Sequence, residues 1–427
     1  MFLKTVLADG NAEKQVIREM KQRAAQARSD IEKIVAAVME DVKSRGMEAV
    51  REYALKFDGK EPYVVSPETI DAAYARCDAK VRDALERAAA NIRDYHEQML
   101  VRSWEYERTP GERLGQAVRG LSRVGLYVPG GTAAYPSSVL MNAIPAKVAG
   151  VETLVMVTPP TDNLSDAVLT AAKIAGVDQV IAIGGTQAIA ALTYGADWIA
   201  PVDKIVGPGN AYVAAAKRMA YGTVDIDMIA GPSEVLVIAD HTANPTYVAA
   251  DLLSQAEHDR LASAVLLTDS MAQAQAISAE MERMARELPR WDIIRESVDG
   301  YGCAVVFEEL RDACDMANLV APEHLEVVTA EPRQWLPYLK NAGAIFLGAY
   351  APEPLGDYMA GPCHVLPTSG TARFFSPLST DTFLKKTSVI EYSRDALERL
   401  SDDIVALAKC EKLDAHANSV AVRFAIT

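Results

Sequence analysis

The chain has 427 residues, half of them apolar, and carries 43 basic against 58 acidic side chains for a formal charge of −15. That length predicts two or three domains around a large core. The acidic balance, without a run of like charges, argues against nucleic acid as a partner, and no stretch of eighteen apolar residues offers a membrane span.

The N-terminus, Met1-Phe-Leu-Lys-Thr-Val-Leu-Ala-Asp9, turns polar too early for a signal peptide or anchor. From about Ala12 to Tyr106 the sequence is charged and helix-periodic, stopping at Lys56-Phe-Asp-Gly59 and restarting at Ser66-Pro67-Glu68. Charges then thin out from Val124 to about Ala239. Short apolar runs alternate there with helical stretches: strand Val124–Val128, turn Pro129-Gly130-Gly131, helix from Pro136, strand Thr153–Thr158, helix from Ser165, strand Gln179–Ile183 and helix from Thr186. Two more units follow, with turns at Gly207-Pro208-Gly209-Asn210 and Gly231-Pro232-Ser233. Nearly all-apolar strands separated by helices predict a parallel sheet covered on both faces.

A helix opening at Asn244-Pro245 starts a second α/β pattern, with strands at Ser263–Thr268, Ala304–Phe307 and Ala344–Leu347. This second domain is expected to pair with the charged N-terminal helices. The last thirty-odd residues read as a helix, a break at Leu413-Asp414-Ala415 and a short tail. Five cysteines, odd in number and never spaced Cys-x-x-Cys, read as reduced thiols of a cytoplasmic protein, not as metal ligands.

Chemistry concentrates at the histidines, of which there are six. Three stand in polar clusters: Gln255-Ala-Glu-His258-Asp259, Glu323-His324 and Asp414-Ala-His416. A fourth, His364, follows Asp357 by seven residues. Gln255 and His258 close the Pro245 helix at i,i+3, on one face. Gln255, His258, Asp357 and His416 would make an N/O donor set suited to zinc with positions left open, although a glutamine carbonyl is an unusual ligand. Singly, each reads more simply as a hydrogen-bonded polar residue; the coincidence with most of the scarce imidazole favours a site. Glu323 and His324 read equally as an acid–base pair on a turn or as a solvated helix start after Pro322. Gly184-Gly185-Thr186-Gln187 and the Gly207 turn each end a strand and open a helix, where phosphate is favoured; alone, each is a tight turn, and Gly-x-Gly-x-x-Gly is absent. Tyr127 and the Ser137-Ser138 pair line either a cofactor groove or nothing more than packing.

Over nearly its whole length the chain resembles the histidinol dehydrogenase family. The resemblance rests on Gly125-Leu-Tyr-Val-Pro-Gly-Gly-Thr-Ala-Ala-Tyr-Pro-Ser-Ser-Val-Leu-Met-Asn, Val206-Gly-Pro-Gly-Asn-Ala-Tyr-Val, Ala230-Gly-Pro-Ser-Glu-Val, Asp251-Leu-Leu-Ser-Gln-Ala-Glu-His-Asp, Ala321-Pro-Glu-His-Leu-Glu, His364-Val-Leu-Pro-Thr and Gly370-Thr-Ala-Arg-Phe. It implies an α/β, aldehyde-dehydrogenase-like fold of two incomplete Rossmann-type parallel-sheet domains with small terminal dimerisation segments. The implied division is 24–124 with 236–378 as one domain, split in sequence and holding the metal and acid–base residues; 125–235 as the NAD-binding domain; 1–23 with 379–399 as a dimerisation domain; and 400–427 as a tail reaching the partner.

The resemblance further implies zinc, one per subunit, on Gln255, His258 and Asp357 with His416 reaching in from the other subunit of a homodimer. It assigns NAD to Tyr127, Gln187 and Asn210, and the substrate L-histidinol to Ser233, His364 and Glu411 together with His324 and the metal-binding residues. Glu323 and His324 match the family's acid–base pair. The implied reaction is a four-electron oxidation of L-histidinol to L-histidine through bound histidinaldehyde, reducing two NAD. Cys363 departs from the family pattern, standing where asparagine is expected. Competing readings are a zinc-dependent dehydrogenase of another amino alcohol or polyol, an aldehyde dehydrogenase using a cysteine thiolate, and a zinc-binding scaffold. Glu411 speaks for an amine-bearing substrate over a sulfonated one.

Overall fold

The computed structural model describes residues 2–23, 29–130, 135–161, 164–229 and 231–424. Gly131 of the expected glycine turn, residues 132–134 and Ala230 of the motifs, the domain boundary at 24 and tail residues 425–427 lie outside them. The chain forms two compact units, one of residues 1–99 and 121–383, the other of 100–120 and 384–427.

The larger unit is built on two six-stranded sheets. In the first, all neighbours are parallel, in the order Lys4–Leu7, Cys303–Val306, Ser263–Thr268, Glu234–Ala239, His324–Val328, Ala344–Leu347. Strand side chains alternate between faces. Val235, Val237, Leu266 and Ala304 accordingly enter one core with the helices Pro245–Ala256, Met271–Ala285 and Trp291–Tyr301, while Leu236, Ile238, Val265 and Val305 enter another with Leu310–Val320. Burial on both faces is what makes these strands continuously apolar.

The second sheet runs Tyr63–Val65, Gln179–Ala182, Thr153–Thr158, Arg123–Tyr127, Lys204–Val206, Asp225–Ile226, parallel except for the antiparallel edge strand Tyr63–Val65. The structure divides the N-terminal third differently from the expectation. Residues 29–97 do not join the 236–378 sheet. Val35, Val38 and Met39 of the helix Ser29–Arg45 and Val50 of Met47–Asp58 share a core with Ile181 of this second sheet, with Ile183 and with Ala188 of the helix Gly185–Tyr194, and Tyr63–Val65 extends the sheet. The Lys4–Leu7 strand likewise pairs with Cys303–Val306, not with 379–399, because its neighbour Leu3 is fully buried in the first sheet's core.

The smaller unit holds an antiparallel sheet of Leu384–Tyr392, Glu112–Gly120 and Trp104–Thr109, together with the helices Arg394–Glu398, Ser401–Cys410 and Asp414–Ala421. Trp104–Thr109 is exposed at every position, so no alternation of apolar residues marked it as a strand.

Candidate active site

Glu323 lies in the bend just before the strand His324–Val328, which His324 opens; the strand is buried at every position and pairs with Glu234–Ala239 on one side and Ala344–Leu347 on the other. Leu325 and Val327 point into one core, which sends His324 and Glu326 to the opposite face. Glu234 organises the pair through its backbone: its N–H donates to Glu323 Oε2 at 2.9 Å, and its carbonyl lies 3.1 Å from His324 Nδ1. That carbonyl can only accept, so Nδ1 carries the proton and the basic lone pair is on Nε2. Nε2 is buried with no partner among the described residues, 3.9 Å from Asp357 Oδ1. Burial holds the His324 imidazole down to about 4 and therefore neutral, and pushes Glu323 well above the usual carboxylate range.

Asp357 lies on the short helix Glu353–Tyr358, one turn after Glu353 and on the same face. Its Oδ1 is 3.8 Å from His364 Nδ1, and its backbone carbonyl 3.2 Å from the same nitrogen. Ligand atoms of His258, Glu353 and Asp357 all lie within 4.8 Å of one another. His258 follows the helix Pro245–Ala256, its N–H bonded to the Gln255 carbonyl at 3.1 Å. Gln255 itself is 1% exposed, with its Oε1 buried and without a partner among the described residues. A buried acceptor without a donor is costly, and a cation would satisfy it. An imidazole and two carboxylates within reach of one another are donors that zinc accepts, and the spare Gln255 oxygen is of the same kind, so the residues fit a zinc ion.

Reading the sequence missed Glu353, which carries the assembly as much as any expected ligand. Ser254, between Asp251 and Gln255, donates to Glu353 Oε2 at 2.8 Å, and the Glu353 N–H donates to Glu326 Oε1 at 2.8 Å. Burial raises Glu326, Glu353, Asp251 and Asp357 above the ordinary range, with charge repulsion adding to it for Glu326, Glu353 and Asp251. The i,i+4 pair after Pro352 was the available signal for Glu353; Glu326 had none beyond its alternation with His324.

The family model for histidinol dehydrogenase matches residues 21–424 of the chain. The chain belongs to the histidinol dehydrogenase family. It is 57% identical over 395 residues to the histidinol dehydrogenase of Heliobacterium mobile, covering 91% of this chain and 92% of that one, and 54% identical to that of Bacillus subtilis (strain 168), covering 92% of each. The crystal structure of histidinol dehydrogenase from Elizabethkingia anophelis superposes with a TM-score of 0.93 at 36% identity over 99% of this chain and 98% of that one. Shared fold over the full length makes the two Rossmann-like sheets the family's scaffold.

Within that scaffold, the residues matched to NAD stand at the carboxyl ends of the second sheet's strands, where open α/β sheets bind ligands. Tyr127, 3% exposed, ends Arg123–Tyr127, and its hydroxyl accepts from Gly185 N at 3.2 Å. Gln187, fully buried, stands in the first turn of Gly185–Tyr194. Asn210 caps Ala211–Ala220, its Oδ1 accepting from Tyr212 N and Val213 N at 3.0 and 3.1 Å. Gly207 is required in the preceding turn: its φ is +106° and a Cβ would lie 2.1 Å from the Tyr127 carbonyl oxygen. The buried Lys217–Asp227 ion pair holds both its polar groups, Asp227 accepting from Gly207 N and Lys217 donating to its carbonyl, each at 2.8 Å.

Ser233 precedes Glu234 at the amino end of its strand, half-buried, on the side where Glu323 and His324 begin theirs. Glu411 and His416 belong to the smaller unit, both exposed, the first just after Ser401–Cys410 and the second within Asp414–Ala421. The structure brings together His258, Glu353, Asp357, His364, Glu323 and His324. Cys363 is buried; its thiol donates to the Met141 carbonyl at 3.2 Å, and burial pushes it up to about 12. No thiolate nucleophile is available there. Among the described residues, no helix is long and apolar enough to cross a membrane.

Proposed function

We propose that the protein oxidises L-histidinol to L-histidine, the four-electron step closing histidine biosynthesis, through bound L-histidinaldehyde, as a cytoplasmic homodimer with shared active sites that uses zinc and reduces two NAD per turnover. Gln255, His258 and Asp357 would hold the zinc, with His416 from the other subunit completing the set. When bound, zinc supplies an electropositive anchor for the substrate's imidazole and amine nitrogens, and NAD supplies the hydride acceptor.

The chain's own residues do the rest. His324 Nε2 takes the hydroxyl proton in the first oxidation. Glu323, whose raised affinity for protons makes its ionised form a stronger base than an ordinary carboxylate, draws a proton from the water that adds to the aldehyde. Once it has given up that first proton to solvent, His324 takes a proton from the resulting diol in the second oxidation. Ser233 and His364 orient the substrate, and Glu411 pairs with its amine end. Tyr127, Gln187 and Asn210 orient the dinucleotide.

One observation carries this reading: a neutral imidazole, pinned through one nitrogen to a backbone carbonyl, turns its other, unpartnered nitrogen toward Asp357 in a cluster able to bind a metal. The test is the amount of NADH formed per L-histidinol consumed, before and after chelation. Two per substrate, lost on chelation, is the expected result; one would mean that the aldehyde escapes, and none would remove the assignment.

A further inference from the structure

The helix Gly185–Tyr194 begins beside a carboxylate that comes from more than a hundred residues earlier. Asp58 ends the helix Met47–Asp58, and its Oδ2 accepts from Gly184 N at 3.2 Å and from Gln187 Nε2 at 3.1 Å. The next amide, Gly185 N, donates to the Tyr127 hydroxyl at 3.2 Å. Three side chains thus converge on one strand-to-helix turn. Tyr127 and Gln187 are fully or almost fully buried and Asp58 is half-buried. Among the described residues only Oδ2 of Asp58 is engaged, which leaves Oδ1 to accept. The Gln187 Oε1 is buried and unpartnered, a second acceptor in the same place. Tyr127, having accepted from Gly185, keeps its own O–H to donate.

A helix start of this kind favours an anion such as phosphate. Here a half-buried carboxylate already occupies it, and a phosphate placed beside it would meet a like charge. Two spare acceptors and one hydroxyl donor are suited instead to a neutral group rich in O–H donors. We infer that Asp58 is a specificity-determining residue of the dinucleotide site, accepting the hydroxyls of a ribose cis-diol and excluding a dinucleotide whose ribose carries a 2′-phosphate. This rests on the proposed placement of NAD against Tyr127, Gln187 and Asn210.

The test uses the zinc-loaded full chain with L-histidinol, NAD and NADP. Asp58→Asn keeps the shape and removes the charge; hydrogen bonds to a charged acceptor being the strong ones, it should raise the KM for NAD by about tenfold or more. The preference for NAD over NADP should fall by at least as much, while the KM for histidinol is unchanged. Asp58→Glu, which keeps a carboxylate, should still reject NADP. Direct titration of NAD and NADP into each variant, with thermal melting in the absence of dinucleotide, separates binding from folding. An unchanged NAD-to-NADP preference in folded Asp58→Asn overturns the inference. If Tyr127→Phe and Asn210→Ala also leave NAD binding untouched, the failure belongs to the placement of NAD itself.

Discussion

Glu326 accepts the backbone N–H of Glu353 at 2.8 Å, so the strand that presents His324 also holds the start of the helix that presents Asp357. His324 and Glu326 are two residues apart on one strand face, and Glu353 and Asp357 one turn apart on one helix face. The His324 face of the strand and the Asp357 face of the helix are thereby linked through a buried hydrogen bond. Glu326 is 1% exposed, so replacing it with Leu leaves the Glu353 N–H without its acceptor at a cost of about 1–3 kcal/mol. The expected outcome is a lower melting temperature and less zinc retained after dialysis, measured by metal analysis. A variant with unchanged zinc content would show that the helix holds its place without this contact.

His324→Asn should lower kcat by roughly 10²–10⁴-fold, the usual contribution of a general base. Its zinc content should stay normal, because His324 faces Asp357 without being one of the three residues that could hold a metal. Rapid-quench turnover and metal analysis on the same preparation check both halves, and near-normal turnover would sink the base assignment.

Cys363 is buried, its thiol bonded to the Met141 carbonyl and pushed up to about 12. On a Cys410→Ser background, which removes the exposed thiol, iodoacetamide under native conditions should therefore leave activity intact, whereas a strong chelator should abolish it and added zinc restore it. Alkylation at Cys363 accompanied by loss of activity would revive the thiol mechanism.

If His416 is a ligand contributed across a homodimer, His416→Ala should lose zinc, and so should His258→Ala. Mixed and reassembled, the two variants should regain part of the activity, since a fraction of hybrid sites has a full ligand set. Absence of any recovery, with hybrid dimers demonstrated by mass, would place His416 outside the site.

His96 is 1% exposed with both ring nitrogens unpartnered, and burial holds it down to about 4. Its folded-state affinity for protons is below its unfolded value near 6.5, so its contribution to stability is fully present above about pH 6.5 and is lost as pH falls toward 4. Between pH 8 and 5 the loss amounts to about 2 kcal/mol. His96→Leu should melt with a shallower pH dependence than the parent protein over that interval, and identical slopes would contradict the assignment.

What the residues determined by themselves was local. Apolar runs such as Thr153–Thr158 and Ser263–Thr268 fell where the strands are, because burial on both faces leaves no room for polar positions. The Asn244-Pro245 start likewise proved to be a capped helix. Long motifs were specific enough to give the family. The His324–Val328 strand was not legible, since its His-Leu-Glu-Val-Val pattern places an imidazole and a carboxylate on a buried face, which only the pairing with Glu234–Ala239 and the Glu353 helix makes tolerable. Nor could spacing assign the helices of 29–97 to a sheet, because an amphipathic face states that it must be covered but not by what. Tertiary structure alone brought Asp58 to Gln187, Glu326 to Glu353 and His324 to Asp357. Each of these contacts joins residues far apart in the chain, and their meeting depends on which sheet each segment packs against.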